Sequence, residues 1–228
     1  MGLGLNYESG AGGGDIVPFV KYDARAGRFF RHDRSQDAAG NYTNTPVDIT
    51  RSFKAVVDLE NVEVGYIHYA TGSAPAYLLT RLGNPLPQKP GDGKWKQGAR
   101  IMVKLHSSCG GDVREITSNA TAFLRGLDEL HSAYEAGKAA NAGKLPIIVL
   151  KDTIPITSGS GEKKSTNYQP VFEITGWATR PTDLVHTPKE PAKAEAVSSP
   201  STAPATGSTQ VGAPTSKQPE MAEADDFG

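Results

Sequence analysis

Two stretches of the sequence place cationic side chains next to aromatic rings. The first contains Lys21, Arg25, Arg28, Phe29, Phe30, Arg31 and Arg34, and the second contains Lys89, Lys94, Trp95, Lys96, Arg100 and Lys104. Cations neutralise phosphates, and flat rings stack on bases that have no pairing partner. The combination therefore has the chemistry that binding to unpaired nucleic acid requires. The alternative is that the strand aromatics are core residues and the basic residues form an ordinary solvated face.

Two further segments add cations to this set. Arg51, Phe53 and Lys54 alternate on a predicted strand, so Arg51 and Phe53 are expected to project from the same face. The glycine- and serine-rich segment 157–169 predicts a long hairpin loop that offers Lys163, Lys164 and Tyr168 to a polyanion. A solvated loop without a ligand is the alternative for this segment. It is not a phosphate-binding loop, because Lys163 stands where that motif needs a glycine before Lys164.

Residues suited to catalysis or metal binding form no recognisable pattern. The five histidines are scattered without paired spacing, and the carboxylates near the predicted strands form no acid constellation. The single cysteine, Cys109, lies in a turn-like Ser-Ser-Cys-Gly-Gly segment, so one chain can form no disulfide framework. We therefore expect a protein that is not an enzyme and that needs no cofactor or metal.

The C-terminal region has a composition that predicts disorder. Residues 188–219 are built mainly from Pro, Ala, Ser, Thr and Gly, and cannot bury enough apolar surface to offset the entropy of folding. The acidic tip that follows, 220–228, ends in carboxylates and one ring: Glu223, Asp225, Asp226 and Phe227. A tethered acidic segment with one aromatic residue suits recruitment of a basic partner. An acidic terminus kept only for solubility is the alternative.

The formal net charge of -1 hides a polarity along the chain. Residues 188–228 hold three lysines and six acidic residues, so this tail carries −3 and the remainder of the chain carries +2. The tail acids would compete with a polyanion for the cationic surface of the domain.

The elements that must position these residues are mostly strands. Short apolar or alternating segments separated by turn residues predict about eight strands. Nine candidate segments show this pattern: 16–22, 28–32, 47–59, 62–70, 76–82, 100–106, 113–117, 145–156 and 171–178. One helix is predicted at about 119–138, because Phe123, Leu127, Leu130 and Tyr134 recur at helical spacing. Phe123 and Tyr134 are expected to pack in the core.

This pattern predicts a mainly β fold, a partly closed antiparallel barrel with one helix. We divide the chain into a flexible glycine-rich lead (1–14), the folded domain (15–187), the disordered linker (188–219) and the acidic tip (220–228).

The overall organisation resembles that of phage-encoded single-stranded DNA-binding proteins. That resemblance rests on a basic β domain, a Pro/Gly/Ser/Thr/Ala linker and the tip that carries Glu223, Asp225, Asp226 and Phe227. It implies an OB-like fold that coats single-stranded DNA with little sequence preference, and a tip that recruits replication or recombination proteins. Gly228 follows the aromatic residue, whereas bacterial members of this group usually end on the phenylalanine.

Two other functions remain open from the sequence: a structural or assembly protein of a virion, and a metal-dependent nuclease. No N-terminal apolar run resembles a signal peptide and no segment is long and apolar enough to span a membrane. We therefore expect a cytoplasmic protein that has no membrane partner and could form a homo-oligomer. If it is phage-encoded, as the resemblance implies, that cytoplasm is the bacterial host's.

Overall fold

The computed structural model describes residues 18–72, 74–158, 160–161 and 164–189. This part of the chain contains ten strands and one α-helix. They are β1 (Phe19–Asp23), β2 (Arg28–Gln36), β3 (Tyr42–Asp48), β4 (Lys54–Val57), β5 (Glu63–His68), β6 (Ala76–Arg81), β7 (Lys96–Leu105), β8 (Val113–Ser118), α1 (Thr121–Lys138), β9 (Lys144–Ser158) and β10 (Ser165–Thr179).

All ten strands belong to one mixed sheet. The strand order is β10-β9-β4-β7-β8-β1-β2-β3, and β5 pairs with β7 beside β4 and carries β6 on its other edge. β1 and β8 pair in parallel, while the other neighbours are antiparallel. The end strands of this order, β10 and β3, do not pair with each other, so the sheet is open. The mainly β prediction with one helix is confirmed. The prediction of an antiparallel barrel is wrong in part, because β1 and β8 pair in parallel and the sheet does not form a closed barrel.

The predicted strand 47–59 is in fact the end of β3 and the whole of β4. A short 3₁₀ turn, Thr50–Ser52, separates them. The side chain of Asp48 accepts a hydrogen bond from the backbone N–H of Thr50 at 2.9 Å, the geometry by which aspartate favours a turn over a continued strand. The sequence pattern of 47–59 therefore predicts one strand where the structure has two.

The core lies between α1 and one face of the sheet, and we name that face of the sheet the inner face. Phe123, Leu127, Leu130 and Tyr134 of the helix are buried against it, as their spacing predicts. Two glycines allow close packing against β10. A Cβ at Gly126 would lie 2.3 Å from the carbonyl oxygen of Pro170, and one at Gly137 would meet the ring of Trp177 at 2.6 Å. The predicted helix is confirmed at Thr121–Lys138. This helix is the only one of more than three residues in the described ranges, and it is not long and apolar enough to cross a membrane.

The opposite, outer face of the sheet is covered at β7 by the segment 180–189, which we name the strap. Leu184 is buried there against Met102 and Leu145. Arg180 donates hydrogen bonds to both carboxylate oxygens of Asp58 at 2.7 Å each. Burial alone would raise the pKa of Asp58, but the bonds from Arg180 and Asn61 lower it, so this carboxylate is ionised in the folded state. The strap therefore belongs to the folded domain.

Candidate functional site

The first predicted cation cluster lies at the hairpin formed by β1 and β2. Lys21, Arg25 and Arg28 are all exposed there. Arg28 pairs with Asp48 through Nη1 and Oδ2 at 3.2 Å. Lys21 and Arg25 form no ion pair with any residue in the described ranges, so both remain available to an anionic ligand.

Arg51 lies beside this hairpin on the turn Thr50–Ser52 and is exposed. The hydroxyl of Thr50 accepts a hydrogen bond from the N–H of Phe29 at 2.9 Å, which ties the turn to β2. Lys54 begins β4 and is half-buried. The fold therefore brings Arg51, which is distant in sequence, to the cations of the hairpin.

The β9–β10 hairpin packs against the turn between β1 and β2. The hydroxyl of Tyr22 donates to the carbonyl oxygen of Tyr168 at 2.8 Å, and the N–H of Tyr168 donates to the carbonyl of Ala24 at 2.7 Å. Gly27 has a φ of 66°, and a Cβ there would lie 3.1 Å from the Cβ of Tyr168. Tyr168 is thus a half-buried packing contact beside the cations, and Lys164 is exposed near the tip of the same β9–β10 hairpin.

Two of the predicted stacking rings are core residues. Phe29 is 0% exposed and Phe53 is 2% exposed, and their ring centroids lie 4.3 Å apart. Tyr22, Phe123 and Phe172 belong to the same aromatic cluster on the inner face. A base cannot reach these rings, so the prediction that Phe29 and Phe53 contact DNA is wrong. Arg51 and Phe53 also do not share a face, because the turn Thr50–Ser52 interrupts the strand.

Arg100 is likewise removed from the candidate interface, because it is 2% exposed. Its Nη1 pairs with Glu63 and its Nε donates to Oε2 of Glu115 at 2.9 Å. The carbonyl of Thr187 in the strap accepts a further bond at 2.8 Å, and Lys189 pairs with Glu115 at 2.9 Å. Its charge is therefore compensated inside the protein, and the prediction that Arg100 contacts DNA is wrong.

Arg31 is held in a cluster of alternating charges. Its Nη2 bonds to Asp33 at 2.6 Å and its Nη1 donates to the carbonyl of Cys109 at 3.1 Å. Arg114 pairs with Asp33 and with Asp112, each at 2.7 Å. Burial alone would raise the pKa of Asp33, but hydrogen bonds from Arg31 and Arg114 lower it. Two arginines and two aspartates thus cancel, and Arg31 offers little free charge to a ligand.

Cations and accessible rings lie together on the side of β1, β2 and β3 that faces away from the core. We name this surface the outer face of β1–β3. Residues directly opposite each other in antiparallel strands project from the same face, so the pairs Lys21↔Phe30 and Phe19↔His32 define it. It consists of Phe19, Lys21, Asp23, Arg28, Phe30, His32, Arg34, Gln36, Tyr42, Asn44, Pro46 and Asp48. Of the two adjacent phenylalanines, Phe30 and not Phe29 lies on this face. The sequence indicates this, because Phe30 is two residues after Arg28 and side chains two positions apart on a strand share a face.

Two stacked pairs organise this surface. The guanidinium carbon of Arg34 lies 3.7 Å from the ring centroid of Tyr42, which is 59% exposed. The rings of Phe19 and His32 stack with their centroids 4.6 Å apart and an interplanar angle of 18°. Burial lowers the pKa of His32, and the charges of Lys21 and Arg114 lower it further, so this ring is neutral near pH 7.

A cleft of about 610 Å³ lies beside β1–β3, lined by residues of the outer face together with Asp33, Thr43, Asp112 and Arg114. Phe19 and His32 line one part of it, and Arg34, Tyr42 and Asn44 line another. Arg114, with its aspartate partners, also borders the cleft. Its volume falls in the range of small-molecule sites, which is about 300–1,000 Å³.

The second predicted cluster lies at the far end of β7. Lys94 and Lys96 are exposed, and the half-buried ring of Trp95 lies 5.7 Å from the ring of His68. β8 separates β7 from β1, so this cluster is two strands away from the outer face of β1–β3. Tyr69 follows β5, and its hydroxyl donates to the carbonyl of Thr117 on β8 at 3.4 Å.

Several predicted residues lie outside the described ranges. They are Lys163 of the hairpin loop and the four residues of the tip, Glu223, Asp225, Asp226 and Phe227. The lead 1–14 and almost all of the linker, from residue 190 onward, also lie outside them.

Among residues 18–72, 74–158, 160–161 and 164–189, no group of three or more His, Cys, Asp or Glu side chains is arranged to hold a metal ion. Cys109 is a buried free thiol. Comparison of the chain with protein-family models, curated proteins and solved structures finds no match.

Proposed function

We propose that this protein binds single-stranded DNA along the outer face of β1–β3, without catalysing a reaction. The observation that carries the proposal is the meeting of unpaired cations and accessible rings on three adjacent strands. Lys21 and Arg34 have no acidic partner in the described part of the chain, and Phe30 and Tyr42 are at least partly exposed on the same face. Phosphate neutralisation and base stacking are the two contributions that binding of unpaired strands needs.

The cations supplied by the rest of the fold extend this surface in two directions. Arg25 and Arg51 continue it at the β1–β2 turn, and Lys164 continues it along the β9–β10 hairpin. Tyr69 leads across β8 towards Lys96 and Trp95. A strand that follows part of this surface would cover at least about four nucleotides, the lower end of the range for OB folds. We also propose that the sheet is an OB-like fold.

The tip supplies the second half of the proposed function. Its acids and Phe227 would recruit basic replication or recombination partners. The acids would also compete with DNA for the cationic face, so DNA binding would release the tip. This part rests on the sequence and on the resemblance to phage-encoded single-stranded DNA-binding proteins.

Titration of a fluorescently labelled oligonucleotide at several salt concentrations tests the binding. Affinity should fall as salt rises, with a log-log slope of about −0.7 for each phosphate contacted. A single-stranded competitor should displace the label, whereas a duplex competitor should not. Binding that is absent, or that does not change with salt, would contradict the proposal.

Charge reversal locates the surface. Lys21→Glu should weaken binding and lower the magnitude of the salt slope by roughly 0.7 or more, because it removes one phosphate contact and adds repulsion. Arg125→Glu is the matched control, since Arg125 is exposed on α1, which packs on the inner face. Equal losses in the two variants would mean that net charge acts, and not the outer face of β1–β3.

Self-assembly as a structural protein is the alternative that the open sheet raises, because unpaired edge strands can join copies of a chain. The two end strands carry Pro46 and Pro170, which lack backbone N–H donors and are typical of protected edges. Size-exclusion chromatography separates the alternatives: a large closed oligomer without affinity for DNA would favour assembly.

A further inference from the structure

The cleft beside β1–β3 is lined by two flat groups of side chains from the outer face. One wall is the Phe19–His32 stack and the other is the Tyr42 ring, one face of which is covered by the guanidinium of Arg34. Because Tyr42 is still 59% exposed, part of its ring surface remains open to a ligand. Flat walls of this kind favour a planar, largely apolar group.

The charge of the cleft is small and localised. Arg114 is compensated by Asp33 and Asp112 at 2.7 Å, and His32 is neutral. Arg34 forms no ion pair or hydrogen bond with any side chain in the described ranges, and its stacking on Tyr42 leaves the N–H edges of the guanidinium unused. A planar guanidinium with free edges suits one phosphate group.

These walls and this single free charge fit the chemistry of one nucleotide: a planar base joined to one phosphodiester or phosphate. A triphosphate would bring several negative charges to one compensating cation. Paired bases within a duplex are stacked on both faces, so they cannot enter between walls without leaving the stack.

We infer that the cleft holds one nucleotide of the bound strand, with its base against Tyr42 and the Phe19–His32 stack and its phosphate on Arg34. This inference rests on the proposed function and adds a discrete subsite to it. The subsite selects unpaired strands because only an unpaired base can be inserted. It also gives the bound strand one fixed point, whereas the surrounding lysines and arginines contact the phosphates without fixing a register.

Substitutions of the two stacked residues test the subsite by oligonucleotide titration. Tyr42→Ala should lower affinity about 5- to 150-fold, the fold-change that loss of one base–aromatic stack produces. Tyr42→Phe keeps the ring and should bind as the wild-type chain does. Arg34→Gln should weaken binding and reduce the salt slope by about 0.7. Leu86→Ala and Arg125→Gln, at exposed positions elsewhere, are matched controls and should leave affinity unchanged.

Photocrosslinking gives a second readout that does not depend on affinity. An oligonucleotide with a single 5-iodouracil should crosslink to the full-length chain at a peptide that contains Tyr42, Phe19 or His32. Crosslinks confined to other peptides would overturn the placement. A loss of affinity in Tyr42→Phe equal to that in Tyr42→Ala would also overturn it, because stacking would then not be the interaction.

A competition experiment tells whether the cleft binds a nucleotide of a DNA strand or a free mononucleotide. Free deoxynucleoside monophosphate should displace the oligonucleotide only at concentrations far above those at which the oligonucleotide itself competes. Tighter binding of the mononucleotide would make the cleft a site for free nucleotides and overturn the inference. If Tyr42→Ala and Arg34→Gln bind normally while Lys21→Glu binds weakly, the subsite is wrong and the proposed function stands. If the wild-type chain binds no oligonucleotide, both are wrong.

Discussion

The Nε atom of Arg100 donates a hydrogen bond to Oε2 of Glu115 at 2.9 Å, and both side chains are almost fully removed from solvent. Glu63 and the strap complete the partners of this guanidinium. A buried arginine between two carboxylates is held by its partners, and each member leaves an uncompensated charge if another is removed. Arg100 is therefore a residue of the folded architecture.

Arg100→Ala should consequently destabilise the protein. The free energy of unfolding should fall by about 3–5 kcal/mol, because Glu63 would remain buried without the guanidinium and Glu115 would keep only Lys189 as its cation. Urea unfolding followed by circular dichroism measures the change, and Lys96→Ala, at an exposed position on the same strand, should unfold like the wild-type chain. If Arg100→Ala had normal stability but bound DNA weakly, Arg100 would have to contact DNA after all.

The strap offers a comparison between adjacent residues. Leu184 is 1% exposed and Val185 is 62% exposed. Leu184→Ala should lower the free energy of unfolding by roughly 2–5 kcal/mol, since it empties a site between Met102 and Leu145. Val185→Ala should change it little. Thermal and urea unfolding measure both variants, and equal small effects would show that the strap does not contribute to the stability of the domain.

Phe29 and Phe30 separate stability from binding on one strand. Phe29 is fully buried, so Phe29→Ala should cost about 3–5 kcal/mol of stability. Phe30 lies on the outer face of β1–β3, so Phe30→Ala should weaken oligonucleotide binding about 5-fold or more with a much smaller effect on unfolding. Oligonucleotide titration and urea unfolding of both variants show which phenylalanine contributes to binding and which to stability. Reduced affinity in folded Phe29→Ala but not in Phe30→Ala would reverse the assignment of faces.

Removal of the acidic tip from Glu220 onward should act on two separate measurements. The truncated chain should bind oligonucleotide more tightly than the full chain, because the competing acids are gone. It should also lose partner proteins in pull-down from a host extract. A neutral tip, with Glu223, Asp225 and Asp226 replaced by the corresponding amides, is the control for length. Unchanged affinity and unchanged pull-down would indicate a passive terminus.

The sequence by itself determined the secondary structure to a large extent. The spacing of Phe123, Leu127, Leu130 and Tyr134 predicted the helix and its buried face correctly, because helical periodicity is a local property. Alternating segments predicted a mainly β protein for the same reason. The polarity of charge along the chain also follows from composition alone.

Only the tertiary structure decided which residues meet and which face each one occupies. A shift of one position in a strand moves a side chain from core to surface, and this shift distinguishes Phe30 from Phe29. The burial of Arg100 depends on Glu63, Glu115 and Thr187, which are 37, 15 and 87 residues away in sequence. Pairings over such separations, like the parallel contact of β1 with β8, are set by packing of the whole sheet, and no local pattern encodes them.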